Sequence, residues 1–169
     1  MAAELASLET PVGTFTVIGV EEGVLASGFT RDPDRLLRLI HPTLRPERVA
    51  EGEAAALHLG AVAAYFEGDL GALDRVPLVV QGGGPFLRRA WQALREVRPG
   101  ERITYGALAV RAGNPSASRA AGQACARNPV TLFIPCHRAV DSRGAPHHFG
   151  WGLPVKRWLL AHESGGATT

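Results

Sequence analysis

The sequence predicts an α/β (α+β) N-terminal domain with a small β-sheet and helices, over residues 1–80, followed by a mostly helical C-terminal domain with a winged helix-turn-helix, over residues 81–169. Three observations lead to this prediction. β-Branched residues alternate near the N-terminus, apolar residues recur at helical spacing beyond residue 85, and a glycine run at 82–84 separates the two patterns. A chain of 169 residues is long enough for two such domains.

Two strands and two helices are predicted in the first domain. Residues 13–20 and 24–30 are rich in alternating β-branched and apolar residues, with a Glu-Glu-Gly turn between them. Asp32 is expected to cap a helix that runs through Leu36, Leu37 and Ile40 and ends at Pro42, and a second, alanine-rich helix is expected over about residues 53–66. Since this half contains no phosphate loop, metal cluster or pair of acids, we expect its role to be architectural.

Four helices are predicted in the second domain, over about residues 86–94, 105–112, 117–127 and 155–162. Thr104 is in position to cap the second of them, and Gly-Asn-Pro separates the second from the third. Two short helices joined by such a turn are typical of a helix-turn-helix.

The charges divide unequally between the halves. Residues 1–80 hold six Arg against twelve Asp and Glu, a balance of −6, whereas residues 81–169 hold eleven Arg and one Lys against four acids, a balance of +8. Between Arg102 and Val140 there is no acidic residue. This asymmetry indicates a polyanionic partner for the second half. The alternative is that these arginines merely solvate helix faces.

The helix predicted over residues 117–127 has small side chains around one long cation. Arg119 and Gln123 lie four residues apart and therefore share a face. Such a helix suits close approach to a nucleic-acid groove, with Arg119 as a probe. An alanine-rich helix packed inside the domain would show the same pattern, and the charge asymmetry favours the groove.

The chain has two cysteines, Cys125 and Cys136, which we expect to be free thiols of a reducing compartment. Cys136 stands between Pro135 and His137, where a neighbouring base or cation is expected to raise the thiolate fraction. Glu163 lies in the last turn of its helix, where the helix dipole disfavours a carboxylate. Glu163 is either an exposed acid or the group that orients a histidine in a Cys-His-Glu chain.

An ordered set of motifs in the second half resembles the O6-alkylguanine-DNA alkyltransferase family. The set comprises Phe86-Leu-Arg-Arg-Ala-Trp-Gln-Ala-Leu94, Ile103-Thr-Tyr105, Gly113-Asn-Pro115 with Arg119, Asn128-Pro129, Ile134-Pro-Cys-His-Arg138 and Lys156-Arg-Trp-Leu-Leu-Ala-His-Glu163. The first half matches that family only in its order of strands and helices.

The resemblance implies a reaction and its catalytic residues. Cys136 would take the alkyl group from the O6 atom of guanine, His137 would act as base through a water, and Glu163 would hold that histidine. Asn128 would brace the turn. Tyr105 would help rotate the nucleotide out of the duplex and supply a proton to the departing base. Lys156 matches a lysine of the family's site, and no cofactor and no metal are implied.

The resemblance also implies how DNA is held. Double-stranded DNA with an O6-alkylguanine would bind in its minor groove to a monomer of the protein, through the helix-turn-helix. Arg119 would enter the duplex, and the base would leave the stack because a buried O6 atom is out of reach of a fixed sulfur. The expected DNA-binding residues are Tyr105, Ser118, Arg119, Gln123, Arg127 and Arg138.

The expected substrate pocket departs from the family pattern in one loop. Ala139, Cys125, Phe149, Gly150 and Trp151 are the expected pocket residues. Phe149 and Gly150 stand where the family often has Tyr and Ser, and Trp151 stands where it often has Gly. We therefore expect a narrow pocket that prefers methyl groups to bulky ones.

Two other classes of function remain open on the sequence. A Cys-His hydrolase would share the thiol and histidine but would turn over repeatedly. A non-catalytic DNA binder, either a regulator or a sensor of alkylated bases, would share the basic helices. No apolar run is long enough to span a membrane and no signal segment is present, so a cytoplasmic protein is expected, nucleoid-associated in a bacterium or nuclear in a eukaryote.

Overall fold

A computed structural model of the chain describes residues 1–81 and 83–165. Gly82 of the predicted linker and residues 166–169 of the predicted C-terminal domain lie outside the described residues. The chain forms two compact units. Unit 1 is Met1–Gln81 with Pro129–Phe133, and unit 2 is Gly82–Asn128 with Ile134–Thr169. The mixed α+β class is confirmed, but residues 129–133 belong to unit 1 although the prediction placed them in the second domain.

Unit 1 is built on a four-stranded sheet with the strand order β3-β2-β1-β4. The strands are β1 (Ala2–Thr10), β2 (Gly13–Val20), β3 (Gly23–Gly28) and β4 (Arg48–Glu51). β2 pairs antiparallel with β1 and β3, whereas β4 runs parallel to β1. Antiparallel neighbours need only short turns, whereas the parallel β4 is reached by a long connection that includes a helix.

β1 and β4 are strands that the sequence pattern did not predict. β1 reads Ala-Ala-Glu-Leu-Ala-Ser-Leu-Glu-Thr, a run dominated by helix-forming residues. It is extended because it lies between β2 and β4, which bond to both of its edges. Strand propensity depends on such neighbours more than on the residues of the strand itself.

Two α-helices complete unit 1. α1 (Pro33–Leu37) begins as predicted at Asp32, whose carboxylate accepts a hydrogen bond from the Asp34 backbone N–H, and it is shorter than expected. α2 (Glu53–Phe66) matches its prediction and packs on β1 and β2. A four-residue 3₁₀ helix, Ala72–Arg75, follows α2.

The described part of unit 2 contains four α-helices and one short parallel strand pair. The helices are α3 (Pro85–Glu96), α4 (Tyr105–Arg111), α5 (Ser118–Ala126) and α6 (Leu153–Glu163), and β5 (Ile103–Thr104) pairs with β6 (Ala139–Val140). Thr104 caps α4 as predicted, because its hydroxyl accepts from the Ala107 N–H. The indole N–H of Trp91 on α3 donates to the Ala124 carbonyl on α5, which fixes these two helices together. In residues 1–81 and 83–165, no helix is long and apolar enough to cross a membrane.

Candidate active site

The Cys136 thiol sits on a tight turn of the backbone. The Cys136 N–H donates to the Ile134 carbonyl at 2.8 Å, with Pro135 between them at φ −81° and ψ 64°. These are the angles of an inverse γ-turn, which the restricted φ of proline favours. A three-residue 3₁₀ helix, Cys136–Arg138, follows directly. Only 5% of Cys136 is exposed, so the turn buries the thiol rather than presenting it at the surface.

Asn128 joins the thiol to this turn. Its side-chain Nδ2 donates to the Ile134 carbonyl at 2.7 Å and to the Cys136 sulfur at 3.2 Å. Asn128 is itself 3% exposed. A donor aimed at the sulfur stabilises the thiolate relative to the thiol, so the placement of Asn128 fits the predicted bracing role and adds an electrostatic one.

His137 is held by Glu163, across 26 residues of sequence. The His137 Nε2 and the Glu163 Oε2 lie 2.7 Å apart, and both side chains are fully buried. A carboxylate accepts, so the ring carries its proton on Nε2 and leaves the lone pair on Nδ1. Nδ1 is buried and has no hydrogen-bond partner among the described residues. The histidine is therefore oriented as a base.

Arg138 completes this buried cluster. Its guanidinium donates from Nε to Glu163 Oε1 at 2.8 Å and from Nη2 to Oε2 at 2.9 Å, and from Nη1 to the Val97 carbonyl at 2.6 Å. This is a bidentate ion pair, in which two N–H groups of the planar guanidinium each donate to one carboxylate oxygen. Arg138 is 4% exposed. Its predicted role in DNA binding is therefore wrong, because the guanidinium is buried inside unit 2 and donates to Glu163 and Val97.

Burial and charge set the protonation of the pair. Burial by itself would raise the pKa of Glu163, but His137 and Arg138 together hold that pKa well below its usual range. Burial, helped by the nearby charges of Arg138 and Lys156, lowers the pKa of His137, and the Glu163 carboxylate offsets only part of that fall. At neutral pH Glu163 is ionised and His137 is neutral, which is the state in which Nδ1 can accept a proton.

The resting state of Cys136 differs from the expectation. Burial raises the pKa of Cys136, and the Asn128 hydrogen bond and the Lys156 charge offset only part of that rise. The expectation of a raised thiolate fraction at rest was wrong, since desolvation penalises the charged form. The thiol is protonated until a base removes its proton.

Lys156, Tyr105 and Cys125 lie around the thiol. The Lys156 ammonium donates to the His148 carbonyl at 3.0 Å and to the Tyr105 hydroxyl at 3.4 Å. Burial lowers the pKa of Lys156, which is only 1% exposed. Burial, with Cys125 and Cys136 nearby, raises the pKa of Tyr105 to about 12. Burial also raises the pKa of the Cys125 thiol, so both thiols are protonated at rest.

A cavity of about 550 Å³ opens beside this group. It is lined by the predicted residues Tyr105, Ser118, Arg119 and Gln123, and by His147 and His148. A second groove of about 500 Å³ lies between the start of α3 and α5, and Arg127 lines it with Arg119 and Gln123. The exposed face of α5 thus presents Arg119 and Gln123 to both openings.

The predicted pocket residues occupy three places. Ala139 is fully buried in β6, beside the thiol turn. Cys125 is on α5, where burial and then the nearby Cys136 raise the pKa of its thiol. Phe149, Gly150 and Trp151 form the loop before α6, with Gly150 exposed and its two neighbours half-buried. Their roles toward a substrate stay predictions.

Sequence reasoning missed two contributors. The backbone of His148 adopts a φ of +24°, uncommon for a non-glycine residue, and its carbonyl holds Lys156. The Val97 carbonyl accepts from Arg138. Both act through backbone atoms, so the side chains in the sequence carried no signal for them. Among the described residues, no three His, Cys, Asp or Glu side chains are grouped closely enough to hold a metal ion.

Unit 2 thus combines a buried thiol, a histidine oriented as a base and exposed arginines on α4 and α5, a combination that suits a cysteine-dependent protein acting on nucleic acid. Residues 85–165 match the family model of the 6-O-methylguanine DNA methyltransferase DNA-binding domain. The methylated-DNA–protein-cysteine methyltransferase of Salmonella typhimurium is 36% identical over 160 residues, which cover 92% of each chain.

Solved structures agree with this match. O6-methylguanine methyltransferase of Mycobacterium tuberculosis is 28% identical, with a TM-score of 0.76 and coverage of 98% of this chain and 94% of that one. The Mycobacterium tuberculosis OGT in complex with DNA is 27% identical, with a TM-score of 0.80 and coverage of 99% and 97%. The chain belongs to the methylated-DNA–protein-cysteine methyltransferase family, and the predicted resemblance is confirmed.

Proposed function

We propose that this protein repairs DNA by moving an alkyl group from the O6 atom of guanine in duplex DNA to the Cys136 sulfur. The observation that carries the proposal is the thiol next in sequence to a histidine that a carboxylate orients. Asn128 donates to the Cys136 sulfur, and the next residue, His137, is held by Glu163. Family membership supports the same chemistry, since the relatives are named for it.

The first step is deprotonation of the thiol. His137 Nδ1, buried and carrying the lone pair, takes the Cys136 proton through one water molecule. The resulting imidazolium is stabilised by Glu163, whose carboxylate stays ionised. The Asn128 N–H group and the Lys156 charge stabilise the new thiolate, because both lower the pKa of Cys136.

The second step is substitution at the alkyl carbon. A sulfur–carbon bond forms while the bond between that carbon and O6 breaks, and its electron pair goes to the guanine. Tyr105 then gives its hydroxyl proton to the departing base. Because its pKa is about 12, the hydroxyl stays protonated at neutral pH until the guanine carries negative charge. Lys156, 3.4 Å from the Tyr105 oxygen, is placed to donate to the phenolate.

The product is a thioether, which has no carbonyl for water to attack. Each chain therefore acts once, and no cofactor takes part. This distinguishes the proposal from a Cys-His hydrolase, whose acyl-enzyme is hydrolysed and whose thiol is regenerated.

We assign DNA binding to α4 and α5, which pack against each other, and we propose that they are the two helices of a winged helix-turn-helix. We propose that α5 enters the minor groove of the duplex and that a monomer binds without regard to sequence, through contacts to phosphates from Ser118, Gln123 and Arg127. Arg119, exposed at both openings, fills the gap left by the flipped nucleotide. O4-alkylthymine would be reached by the same rotation. This role locates the protein with the DNA, in the bacterial cytoplasm or the eukaryotic nucleus.

The loop 149–151 supports a preference for methyl groups. Phe149 and Trp151 are half-buried bulky side chains before α6. Single-turnover transfer from O6-methylguanine is expected to be faster than from O6-benzylguanine. Equal or faster benzyl transfer contradicts a narrow pocket but leaves the assignment of Cys136 intact.

The deciding experiment is mass spectrometry of the intact protein after incubation with excess duplex containing O6-methylguanine. The parent gains one methyl group per chain, located on Cys136 by peptide mapping. Cys136→Ser gains none, and the matched control Cys125→Ser gains one as the parent does. Repeated removal of methyl groups by each chain would favour turnover by a hydrolase-like enzyme, and binding without any adduct would favour a non-catalytic lesion sensor.

A further inference from the structure

The chain passes through unit 1 in the middle of the active-site sequence. It leaves unit 2 after Asn128, contributes residues 129–133 to unit 1, and returns to unit 2 at Ile134. Residues 129–133 are called the excursion below. Four of them, Val130, Thr131, Leu132 and Phe133, are at most 1% exposed. The excursion is therefore a buried part of unit 1, although the residues on either side of it, Asn128 and Ile134, belong to the candidate active site of unit 2.

The two ends of the excursion hold the thiol. Asn128 Nδ2 bonds to the Ile134 carbonyl and to the Cys136 sulfur, and the Cys136 N–H bonds to the same carbonyl. The donor to the sulfur is thus attached at one end of the excursion and the thiol turn at the other. A change in the path of the excursion alters the distance and angle between Asn128 and Cys136.

Within unit 1, one residue of β3 grips the excursion. The Ser27 N–H donates to the Pro129 carbonyl at 2.9 Å, and the Thr131 N–H donates to the Ser27 carbonyl at 3.3 Å. The Ser27 hydroxyl adds a side-chain bond to the Thr131 carbonyl at 2.8 Å. Ser27 is fully buried. A buried hydroxyl that bonds the backbone fixes that backbone because water cannot replace the lost partner.

The residue after this grip has a constrained backbone. Leu132 adopts a φ of +75°, in the left-handed region that side chains other than glycine rarely occupy, and is 1% exposed. Such a conformation persists only where the surroundings over-determine it. The bond from Ser27 holds the carbonyl of Thr131, the residue directly before this constrained position.

We propose that Ser27 is a positioning residue for alkyl transfer: its hydroxyl fixes the excursion, and through the chain it sets the alignment of Asn128 with the Cys136 sulfur. The inference rests on Cys136 being the acceptor. It gives unit 1, expected from the sequence to be architectural, a specific part in the chemistry of unit 2.

The test compares Ser27→Ala with Thr16→Val, a matched control. Thr16 is another buried hydroxyl of unit 1, 1% exposed, and it bonds to the Thr30 carbonyl and to Ser7 but not to the excursion. Each protein is measured for its thermal midpoint, for the affinity of methylated duplex, and for the rate of methyl transfer with duplex in saturating excess.

Both variants are expected to lose stability to a similar degree. Ser27→Ala is expected to slow transfer about tenfold at unchanged duplex affinity, since small misplacements of reacting groups have large kinetic effects. Its rate profile is also expected to move to higher pH, because a misaligned Asn128 stabilises the thiolate less. Thr16→Val should leave both the rate and the profile as in the parent.

A rate for Ser27→Ala equal to that of Thr16→Val overturns the proposal. Ser27→Cys, which keeps a weaker donor, is expected to fall between parent and Ser27→Ala, and it supplies the comparison if the alanine variant does not fold. Cys136→Ser is run beside them: methyl uptake by that variant would defeat the assignment of the acceptor itself, whereas failure of the Ser27 series alone leaves it standing.

Discussion

Unit 1 and unit 2 bury different kinds of polar side chain. In the part of the chain that the structure describes, unit 1 buries Thr16, Ser27, His58 and Thr131, and unit 2 buries Asn128, His137, Arg138, Lys156 and Glu163. The polar bonds of unit 1 go largely to backbone carbonyls, as in His58 to Val20 and Thr16 to Thr30. These bonds join its strands and its helix.

Unit 2 instead buries ions beside one another. Taking an ion out of water costs several kcal/mol even after relaxation, and a buried pair seldom returns more than it costs. A cluster of Glu163, Arg138 and Lys156 around a histidine and a thiol is therefore weak support for stability. It indicates chemistry, because buried ions of fixed geometry set the pKa values of their neighbours. This difference favours unit 2 as the part of the chain that holds the reactive groups.

Glu163→Gln is expected to have the largest effect on stability and on the rate of transfer. The change leaves the Arg138 guanidinium buried without its counter-ion, which lowers the free energy of unfolding by about 3–5 kcal/mol. Transfer is expected to slow by about a hundredfold or more, since His137 loses the carboxylate that orients it. Urea unfolding and single-turnover kinetics measure the two effects. The control Glu101→Gln alters an exposed acid of the same unit and should change neither; equal behaviour of the two variants contradicts the role of Glu163.

The next largest effect is expected from lowering the pH, which should reduce the stability of unit 2. Both His137 and Glu163 have a folded-state pKa below the ordinary value, so the unfolded chain binds more protons as the pH falls. Stability conferred by His137 declines below about pH 6.5, and that conferred by Glu163 declines below about pH 4.3. Transfer should persist through the ordinary histidine range and fail only at lower pH. Urea unfolding at several pH values checks this, and in Glu163→Gln the lower step should be absent.

Removal of the buried ammonium is expected to act mainly on the rate of transfer. Lys156→Met leaves the thiolate without a nearby positive charge, so the pKa of Cys136 rises further and transfer slows about tenfold, the effect of one pKa unit. Arg157→Met, on the exposed side of the same helix, is the control and should transfer at the parent rate. If the two variants react equally fast, the charge of Lys156 plays no part in activating the thiol.

The exposed arginines of the two units are expected to differ in their contribution to DNA affinity. Arg119→Ala is expected to weaken duplex binding several-fold and to reduce the dependence of affinity on salt by about one counterion. Arg48→Ala, an exposed arginine of β4 in unit 1, should leave both unchanged. Fluorescence anisotropy at a series of salt concentrations measures them. An equal loss in both variants would mean that net charge, not the α5 face, binds DNA.

The smallest effect is expected from a polar group of unit 1. His58→Gln keeps a hydrogen-bonding group near the Val20 carbonyl, so the free energy of unfolding should fall by no more than about 1.5 kcal/mol. The transfer rate should equal that of the parent. A large loss of transfer at little loss of stability would place His58 in the chemistry and break the distinction between the two units.

Local sequence patterns were enough to predict the helices and the caps of α1 and α4, and short motifs were enough to select the candidate site residues. Asp32 and Thr104 cap α1 and α4 as predicted, and α2 spans the predicted residues, because capping and helical periodicity are local properties. Cys136, His137 and Asn128 were found for a related reason: their motif lies within a short stretch of chain. β1 was missed since its extended form depends on partners distant in sequence.

The charge, protonation and exposure of the site residues depend on tertiary packing and could not be predicted from the sequence. Arg138 looked like a DNA contact and is instead buried against Glu163, and the Cys136 thiol looked activated and is protonated at rest. Ser27 gave no sign in the sequence of its bond to Thr131, which is 104 residues away. Burial and long-range pairing set these properties, and a linear pattern carries neither, because both depend on what the rest of the chain places around each side chain.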